Sequence, residues 1–110
     1  MMDLPAHFIK TVTSAFAGGA KWLEKLPNLL AECERRWGLV VHPPNFTLSY
    51  NYVAPATLAD GTEIVLKVGV PNRELRTEIE ALRLYDGRGC VRLLDADPDA
   101  GILLLERLYH

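Results

Sequence analysis

A lysine inside an apolar strand and a glutamate on the helix that follows could do chemistry together. Lys67 lies in the run TEIVLKV at residues 62–68. Alternate residues of a strand point to opposite faces, so Lys67 shares a face with Val65. The most apolar side chains of the run point to the opposite face: Ile64, Leu66 and Val68. An ammonium at Lys67 could bind phosphates, with Val65 as an aliphatic wall beside a purine ring. The alternative is a lysine on a solvated face or at a strand edge, which is where lysine is mostly found.

Glu78 is the acidic residue best placed to meet that lysine. The next helix has an apolar stripe at helical spacing: Leu75, Ile79 and Leu82. Glu78 lies about 60° from the centre of the stripe, whereas Glu80 lies on the far side. A Lys67–Glu78 ion pair would fix the ammonium, as a phosphate-positioning lysine requires. The alternative is a surface pair with Arg73 or Arg76, worth at most about 1 kcal/mol.

The elements before residue 38 read as helices. A first helix is predicted by five apolar residues at helical spacing: Phe8, Ile9, Val12, Ala15 and Phe16. The glycines at 18 and 19 should end it. A second apolar stripe is interrupted by Pro27, and proline is best tolerated in the first turn of a helix. We therefore predict a separate helix from Pro27 to Trp37, ended by Gly38.

The elements after residue 38 read mostly as strands. We predict strands at residues 46–50, 52–58 and 63–68, a turn at 59–61, and a helix at 73–85. Two more strands follow at 91–94 and 102–106, joined by a turn-rich segment at 95–101. The order predicts an α+β fold: a five-stranded antiparallel sheet with one main helix. Residues 1–38 form a helical N-terminal extension packed on it, and residues 39–110 form the lobe itself.

Composition excludes several classes of function. The chain has 110 residues, 49% of them hydrophobic, and a net charge of −2, which indicates one domain or one lobe and no basic surface for nucleic acid. No apolar run approaches the roughly 20 residues of a membrane span, and we see no signal peptide, so we expect a cytoplasmic chain. Cys33 and Cys90 are expected to be free thiols. Three closely spaced carboxylates could hold a metal, but around a proline they favour a surface turn: Asp95, Asp97 and Asp99.

Five stretches in this order resemble the aminoglycoside/hydroxyurea antibiotic resistance kinases, whose best-known members are streptomycin phosphotransferases. They are LSYNYVAPAT (48–57), VLKVGVP (65–71), EIEALR (78–83), DGRGCVRLL (86–94) and LLLERL (103–108). The helical segments, including residues 26–27 and 36–39, also look like this family. The resemblance covers nearly the whole chain and implies a protein kinase-like N-lobe.

The resemblance also implies roles for single residues. Lys67 matches the lysine that contacts the α and β phosphates of ATP, and Glu78 matches the glutamate that orients it. Glu106 and Leu108 match the linker whose backbone carbonyl and amide read the adenine edge, and Leu105 would sit at the back of the adenine pocket. We therefore expect ATP as the cofactor and a nucleotide as the binding partner.

The Tyr50-Asn51-Tyr52 segment falls where a flexible loop covers the phosphates in these kinases. It departs from the protein-kinase pattern G-x-G-x-x-G because it contains no glycine. Its backbone is therefore a weaker candidate for phosphate binding than Lys67.

The residues that complete catalysis in the family have no counterpart in this sequence. The family uses a catalytic-loop aspartate, and an asparagine and a second aspartate that hold Mg²⁺, in a helical lobe. We therefore assign no catalytic or metal-binding residue, tie Mg²⁺ to that second lobe, and predict no phosphotransferase activity for the 110 residues alone. Two alternatives stay open: half of a split kinase completed by a second chain, and a non-catalytic α+β binding module.

Overall fold

Two helices precede a five-stranded sheet, and a third helix crosses over between its strands. The structure, a computed structural model, describes residues 4–44, 48 and 50–108. The elements in chain order are α1 (Ala6–Ala15), α2 (Gly19–Trp37), β1 (Leu39–Val41), β2 (Tyr52–Leu58), β3 (Glu63–Val68), α3 (Arg73–Tyr85), β4 (Leu93–Asp97) and β5 (Ile102–Glu106). Among the residues described, no helix is both long and apolar enough to cross a bilayer.

The sheet is antiparallel throughout, with the strand order β1-β2-β3-β5-β4. Strand β3 is therefore central, between β2 and β5. Lys67 lies opposite Val53 on β2 and opposite Leu103 on β5. The predicted α+β class and five-stranded antiparallel sheet are confirmed, and the architecture is that of a kinase-like N-lobe.

The sheet separates two apolar cores. On one face, α1 and α2 pack against the side chains that alternate inward along the central strands, among them Ile64, Leu66 and Val68, which are all fully buried. On the other face, α3 packs against β4 and β5 through Leu75, Ile79, Ala96 and Leu103. The alternation predicted for β3 is thus observed, and the helical extension covers one whole face of the sheet. The division into residues 1–38 and 39–110 as separate units stays a prediction.

Helix α2 corrects the prediction of a new helix at Pro27. It runs unbroken from Gly19 to Trp37, with Pro27 inside it. Its buried residues continue on one stripe from before the proline to after it: Trp22, Leu26, Leu30 and Cys33. Packing of this stripe against the core therefore holds both halves on one axis despite the missing backbone donor. Gly38 ends the helix with a positive φ of 60°, as predicted.

The junction of α1 and α2 depends on a close approach of their backbones. Helix α1 ends at Ala15, before the predicted glycine pair, and Gly19 is the first residue of α2. A Cβ at Gly19 would collide with the carbonyl oxygen of Val12. Of the predicted α1 stripe, Phe8 and Val12 are buried, whereas Ile9 is 41% exposed and lies at the rim.

The first strand lies elsewhere than predicted. Strand β1 is Leu39–Val41, and it pairs with the C-terminal half of β2, Leu39 opposite Leu58. Of the strand predicted at residues 46–50, Leu48 and Tyr50 are not in a strand, and residues 46, 47 and 49 lie outside those described. A three-residue strand directly after a helix cap carries too little periodicity to be recognised.

Strand β4 also differs from its prediction. It spans Leu93–Asp97 instead of residues 91–94, with a register irregularity between Leu93 and Asp95. Asp95 and Asp97 therefore lie in a strand, not in the predicted turn, which shrinks to residues 98–101. Strands β2, β3, β5 and helix α3 have the predicted bounds.

Candidate functional site

The side chains of Lys67 and Glu78 meet on the α3 face of the sheet. Lys67 Nζ donates to both carboxylate oxygens of Glu78, at 2.7 Å to Oε1 and 2.9 Å to Oε2. The two side chains are 20% and 36% exposed, so the pair is partly buried but open to solvent. Arg76, one of the alternative partners of Glu78, pairs with Asp99 instead, at 2.5 Å. The sequence-predicted ion pair is therefore present, and it fixes the ammonium beside an accessible surface.

The first turn of α3 is held by an N-cap and so fixes the position of Glu78. The side-chain oxygen of Asn72 accepts from Leu75 N at 3.0 Å, and its amide nitrogen donates to the Val70 carbonyl at 2.8 Å. An N-cap of this kind stabilises a helix by about 1 kcal/mol. The cap fixes the start of α3 against the sheet, and Glu78 on the same helix therefore has a defined position.

Two glycines bring the backbone of the sheet against the start of α3. Gly69 N donates to Gly101 O at 2.9 Å, and a Cβ at Gly101 would collide with the Gly69 carbonyl oxygen. The same Cβ would lie 3.3 Å from Leu75 Cδ2. Gly101 also has a φ of 74°, a conformation that glycine adopts without strain. The approach leaves room for Leu75 to pack directly on the strand ends.

Two rows of residues surround Lys67 on the same face. One row is Val53–Lys67–Leu103 and the other is Pro55–Val65–Leu105, each crossing β2, β3 and β5. Val65 and Leu105, both predicted for the site, are therefore direct cross-strand neighbours and are partly buried. Sequence reasoning missed Val53 and Pro55. Their period-2 spacing on β2 marks their common face, but only the register with β3 places them beside Lys67.

The predicted linker residues lie at the end of β5. Glu106 is opposite Ile64, three residues along the strand from the Leu103–Lys67 position, which is about 10 Å. Its backbone N–H donates to Arg92 O at 3.0 Å, and its Oε1 accepts from Arg92 N at 2.8 Å. Leu108 is 57% exposed. The roles of Glu106 and Leu108 in reading adenine stay predictions.

The Tyr50-Asn51-Tyr52 segment only partly forms the predicted loop. Tyr50 is 53% exposed and lies in a bend with Asn51, but Tyr52 begins β2 and is 3% exposed. The ring of Tyr52 packs against that of Phe8 with centroids 6.4 Å apart, and burial raises the pKa of its hydroxyl. Tyr52 therefore belongs to the core under α1 and is not available to cover a ligand, because its position follows the inward alternation of β2.

A cleft of about 600 Å³ opens beside Glu78. Its walls come from the end of α1, the bend at Tyr50 and Asn51, and the first turns of α3. The cleft is large enough for a small-molecule group, since ligand pockets typically start at about 300 Å³. Glu78 lines the cleft, whereas Lys67, whose ammonium Glu78 binds, is not among the lining residues.

The three aspartates of the β4 region each bind a different partner. Asp95 Oδ2 accepts from Trp37 Nε1 at 2.6 Å, and Asp97 Oδ2 accepts from Arg36 Nη1 at 2.5 Å. The hydrogen bond from Arg36 holds the pKa of Asp97 below its usual range. With Asp99 bound to Arg76, these carboxylates link α2 and α3 to one strand and its turn. Across the described part of the chain, no cluster of three or more His, Cys, Asp or Glu residues could hold a metal ion.

The thiols have different surroundings. Cys33 is fully buried in the core below α2, and burial raises its pKa to about 11. Cys90 is partly exposed in the loop after α3. A thiol with a raised pKa is mostly protonated near neutral pH, so Cys33 is a poor nucleophile and acts as an apolar core residue.

Comparison with known proteins connects this site to a group of kinases. The chain is 44% identical over 109 residues to a hydroxyurea phosphotransferase of Kitasatospora aureofaciens, covering 98% of the chain and 32% of the relative. It is 36% identical over 109 residues to a streptomycin 6-kinase of Streptomyces glaucescens, covering 98% of the chain and 36% of the relative. It is 39% identical over 90 residues to a streptomycin 6-kinase of Streptomyces griseus, covering 82% of the chain and 29% of the relative.

The chain is homologous to hydroxyurea phosphotransferase and streptomycin 6-kinase over a segment of these kinases. It spans about a third of the length of the curated relatives that it matches. No family model matches it. No solved structure matches it either. The resemblance that the sequence stretches predicted is therefore confirmed, for about a third of the length of these relatives.

Proposed function

We propose that the chain is the nucleotide-binding lobe of an ATP-dependent phosphotransferase that acts on a hydroxyl of a small molecule. The observation that carries the proposal is the bidentate and partly exposed Lys67–Glu78 ion pair on the α3 face of the sheet. In kinases, a strand lysine paired with a helix glutamate must be in place for phosphoryl transfer. Similarity to kinases supports the same interpretation of this pair.

The surroundings of the pair suit the two ends of ATP. Val65 and Leu105 offer an apolar surface for adenine, and Glu106 lies about 10 Å along the strand from the lysine row. Purine rings bind well between aliphatic side chains when backbone groups read their edge. The Lys67 ammonium then contacts the phosphates by charge-assisted hydrogen bonds.

Transfer of the phosphoryl group needs more than this lobe contains. Kinases also use a catalytic aspartate and Mg²⁺ ligands, which position the attacking hydroxyl and neutralise charge on the transferred group. We assign none of these roles to a residue of this chain. The proposal is therefore that the chain works together with a catalytic lobe, either in a longer protein or as a separate chain that binds it.

The acceptor is proposed from the names of the relatives. Two are streptomycin 6-kinases and one is a hydroxyurea phosphotransferase. Both names describe transfer of a phosphoryl group to a small molecule. We propose an aminoglycoside of the streptomycin type as the acceptor of the complete enzyme, and a role in antibiotic resistance.

The test is a titration of the chain with ATP, followed by calorimetry or by a fluorescent nucleotide analogue. We expect Lys67→Ala to weaken ATP binding at least tenfold, since a hydrogen bond to a charged group is worth about 1.5–3 kcal/mol. Glu78→Gln should weaken it less, because the ammonium stays but loses its orientation. The matched control is Lys25→Ala, an exposed lysine on α2 that does not line the cleft.

Thermal unfolding of each variant separates a binding defect from a folding defect. The Lys67–Glu78 pair is partly exposed, so we expect its loss to change the unfolding temperature little. Absence of ATP binding by the unmodified chain, or equal ATP affinity in Lys67→Ala, would contradict the proposed function and favour a non-catalytic binding module.

A further inference from the structure

The cleft beside Glu78 is lined by the cationic side chain of Arg73, and Glu78 itself binds the ammonium of Lys67. Arg73 is the first residue of α3 and lines the cleft together with Tyr50, Asn51 and Glu78. It is exposed, and its guanidinium makes no hydrogen bond or ion pair with any residue in the described part of the chain, although its backbone carbonyl accepts a hydrogen bond from Thr77 Oγ1. Its guanidinium is therefore available to a ligand in the cleft.

Arg73 differs from Lys67 in that no described carboxylate, not even that of neighbouring Glu74, holds it in an ion pair. The charge of Lys67 is already matched by Glu78, which accepts both hydrogen bonds from the ammonium. The amide of Asn72 is also occupied, since it caps α3 and binds the Val70 carbonyl. A triphosphate beside a neutral ion pair needs further positive charge, and Arg73 can supply it from the adjacent wall.

The position of Arg73 is unfavourable for the helix itself. A helix N-terminus carries partial positive charge, which favours acidic residues and disfavours basic ones. Glu74, the next residue, and Arg83, in the last turn, both follow this rule. Arg73 does not follow it and has no ion-pair partner in the described part of the chain, so helix stability does not explain an arginine there.

We propose that Arg73 binds the terminal phosphoryl group of the nucleoside triphosphate and sets the preference for triphosphate over diphosphate. This inference rests on the proposed function. Arg73 lies five residues before Glu78, which is about 7.5 Å along the helix axis. Lys67 thus binds the inner phosphates while the planar guanidinium binds two oxygens of the outermost one.

The experiment compares ATP and ADP affinities of the chain in EDTA, where no Mg²⁺ screens the phosphates. We expect Arg73→Gln to lower the ratio of ADP to ATP dissociation constants about tenfold while leaving ADP affinity almost unchanged. Arg73→Lys should restore part of the ratio, because it keeps the charge without the bidentate geometry. Arg83→Gln is the matched control, since it makes the same change of charge near the other end of α3.

Glu74→Gln supplies a test of the opposite sign. The Glu74 carboxylate also lines the cleft, so its neutralisation should raise the ATP preference if a phosphoryl group binds there. In the absence of ligand, Arg73→Gln should unfold at the same temperature as the unmodified chain or a higher one. A purely structural role would lower that temperature instead.

The possible outcomes separate this inference from the proposed function. If the chain binds ATP through Lys67 but the ADP to ATP ratio is unchanged in Arg73→Gln, the role of Arg73 is wrong and the proposed function stands. If the chain binds no nucleotide, both are wrong. The last measurement adds inorganic phosphate together with ADP. If ADP plus phosphate reproduces the Arg73-dependent gain seen with ATP, the site binds free phosphate and the assignment to the triphosphate is overturned.

Discussion

At the residue scale, Gly101 carries two separate requirements. Its φ of 74° suits glycine, and its missing side chain lets the Gly69 carbonyl approach. Gly89 has nearly the same φ, 76°, but nothing lies within 4 Å of the position of its absent Cβ. Replacing each glycine by alanine therefore separates the free-energy cost of the positive φ from that of the close contact.

We predict that Gly101→Ala destabilises the chain far more than Gly89→Ala. The positive φ alone costs a non-glycine residue about 1–2 kcal/mol. The collision with Gly69 adds overpacking of about 1–3 kcal/mol in Gly101→Ala only. Urea unfolding of both variants measures the difference, and equal free energies of unfolding would show that the strand ends move apart easily.

The Lys67–Glu78 ion pair could be predicted because each of its two residues follows a local rule. Alternation along β3 selects Lys67, and helical spacing along α3 selects Glu78. Val53 and Pro55 could not be placed in the same way. Their position beside Lys67 depends on the pairing of β2 with β3, which no short segment of sequence determines.

At the element scale, α2 contains a proline where a helix would otherwise form one more hydrogen bond. Pro27 is exposed on the helix and cannot donate to the carbonyl of Leu23. The core contacts of the buried stripe compensate for this loss, as the unbroken helix shows.

Pro27→Ala should therefore stabilise the chain by about 2 kcal/mol. A proline inside a helix costs about 3 kcal/mol, and its stiffening of the unfolded chain returns about 0.4–1 kcal/mol. Asn28→Ala, at the neighbouring exposed position, is the control, and it should gain less than about 0.7 kcal/mol from helix propensity alone. Differential scanning calorimetry distinguishes the two, and a loss of stability in Pro27→Ala would mean that the proline has a packing role.

The bounds of α3 could be predicted to the residue because local sequence signals mark both of its ends, whereas the bounds of β4 could not. Helix α3 has Asn72 as its N-cap and a left-handed Asp86 after its last turn. Strand β4 extends further than its apolar residues suggest because α2 binds its aspartates, through Trp37 to Asp95 and Arg36 to Asp97. Such contacts join residues about 60 positions apart, at separations of 61 and 58, and leave no local pattern.

At the scale of the whole molecule, the helical extension is part of the folding unit, because its apolar side chains and those of the sheet form one core. Leu26 is fully buried between α2 and the sheet, in the same cluster as Ile64 and Leu66 of β3. Among the residues described, most of the cover of this face comes from α1 and α2, with Leu48 and Val70 adding to it. Unfolding of α2 should expose that face and unfold the sheet with it.

We predict that Leu26→Ala costs about 2–5 kcal/mol, the range for a buried leucine replaced by alanine. Leu84→Ala, at a position 72% exposed on α3, should change stability by less than about 0.5 kcal/mol. Native-state hydrogen exchange of Leu26→Ala should show amides of α2 and β3 losing protection together. Loss of protection in α2 alone would show that the extension unfolds by itself.

The placement of two cores on opposite faces of one sheet has a consequence for how this lobe can change over generations. Residues that determine the fold's robustness lie mainly under α1 and α2, whereas Val53, Val65 and Leu105 lie on the face of the Lys67–Glu78 pair. Under the proposed function, substitutions on that second face change ligand preference while most of the core under α1 and α2 stays as it is. A directed-evolution library restricted to these three positions should retain folded members at high frequency.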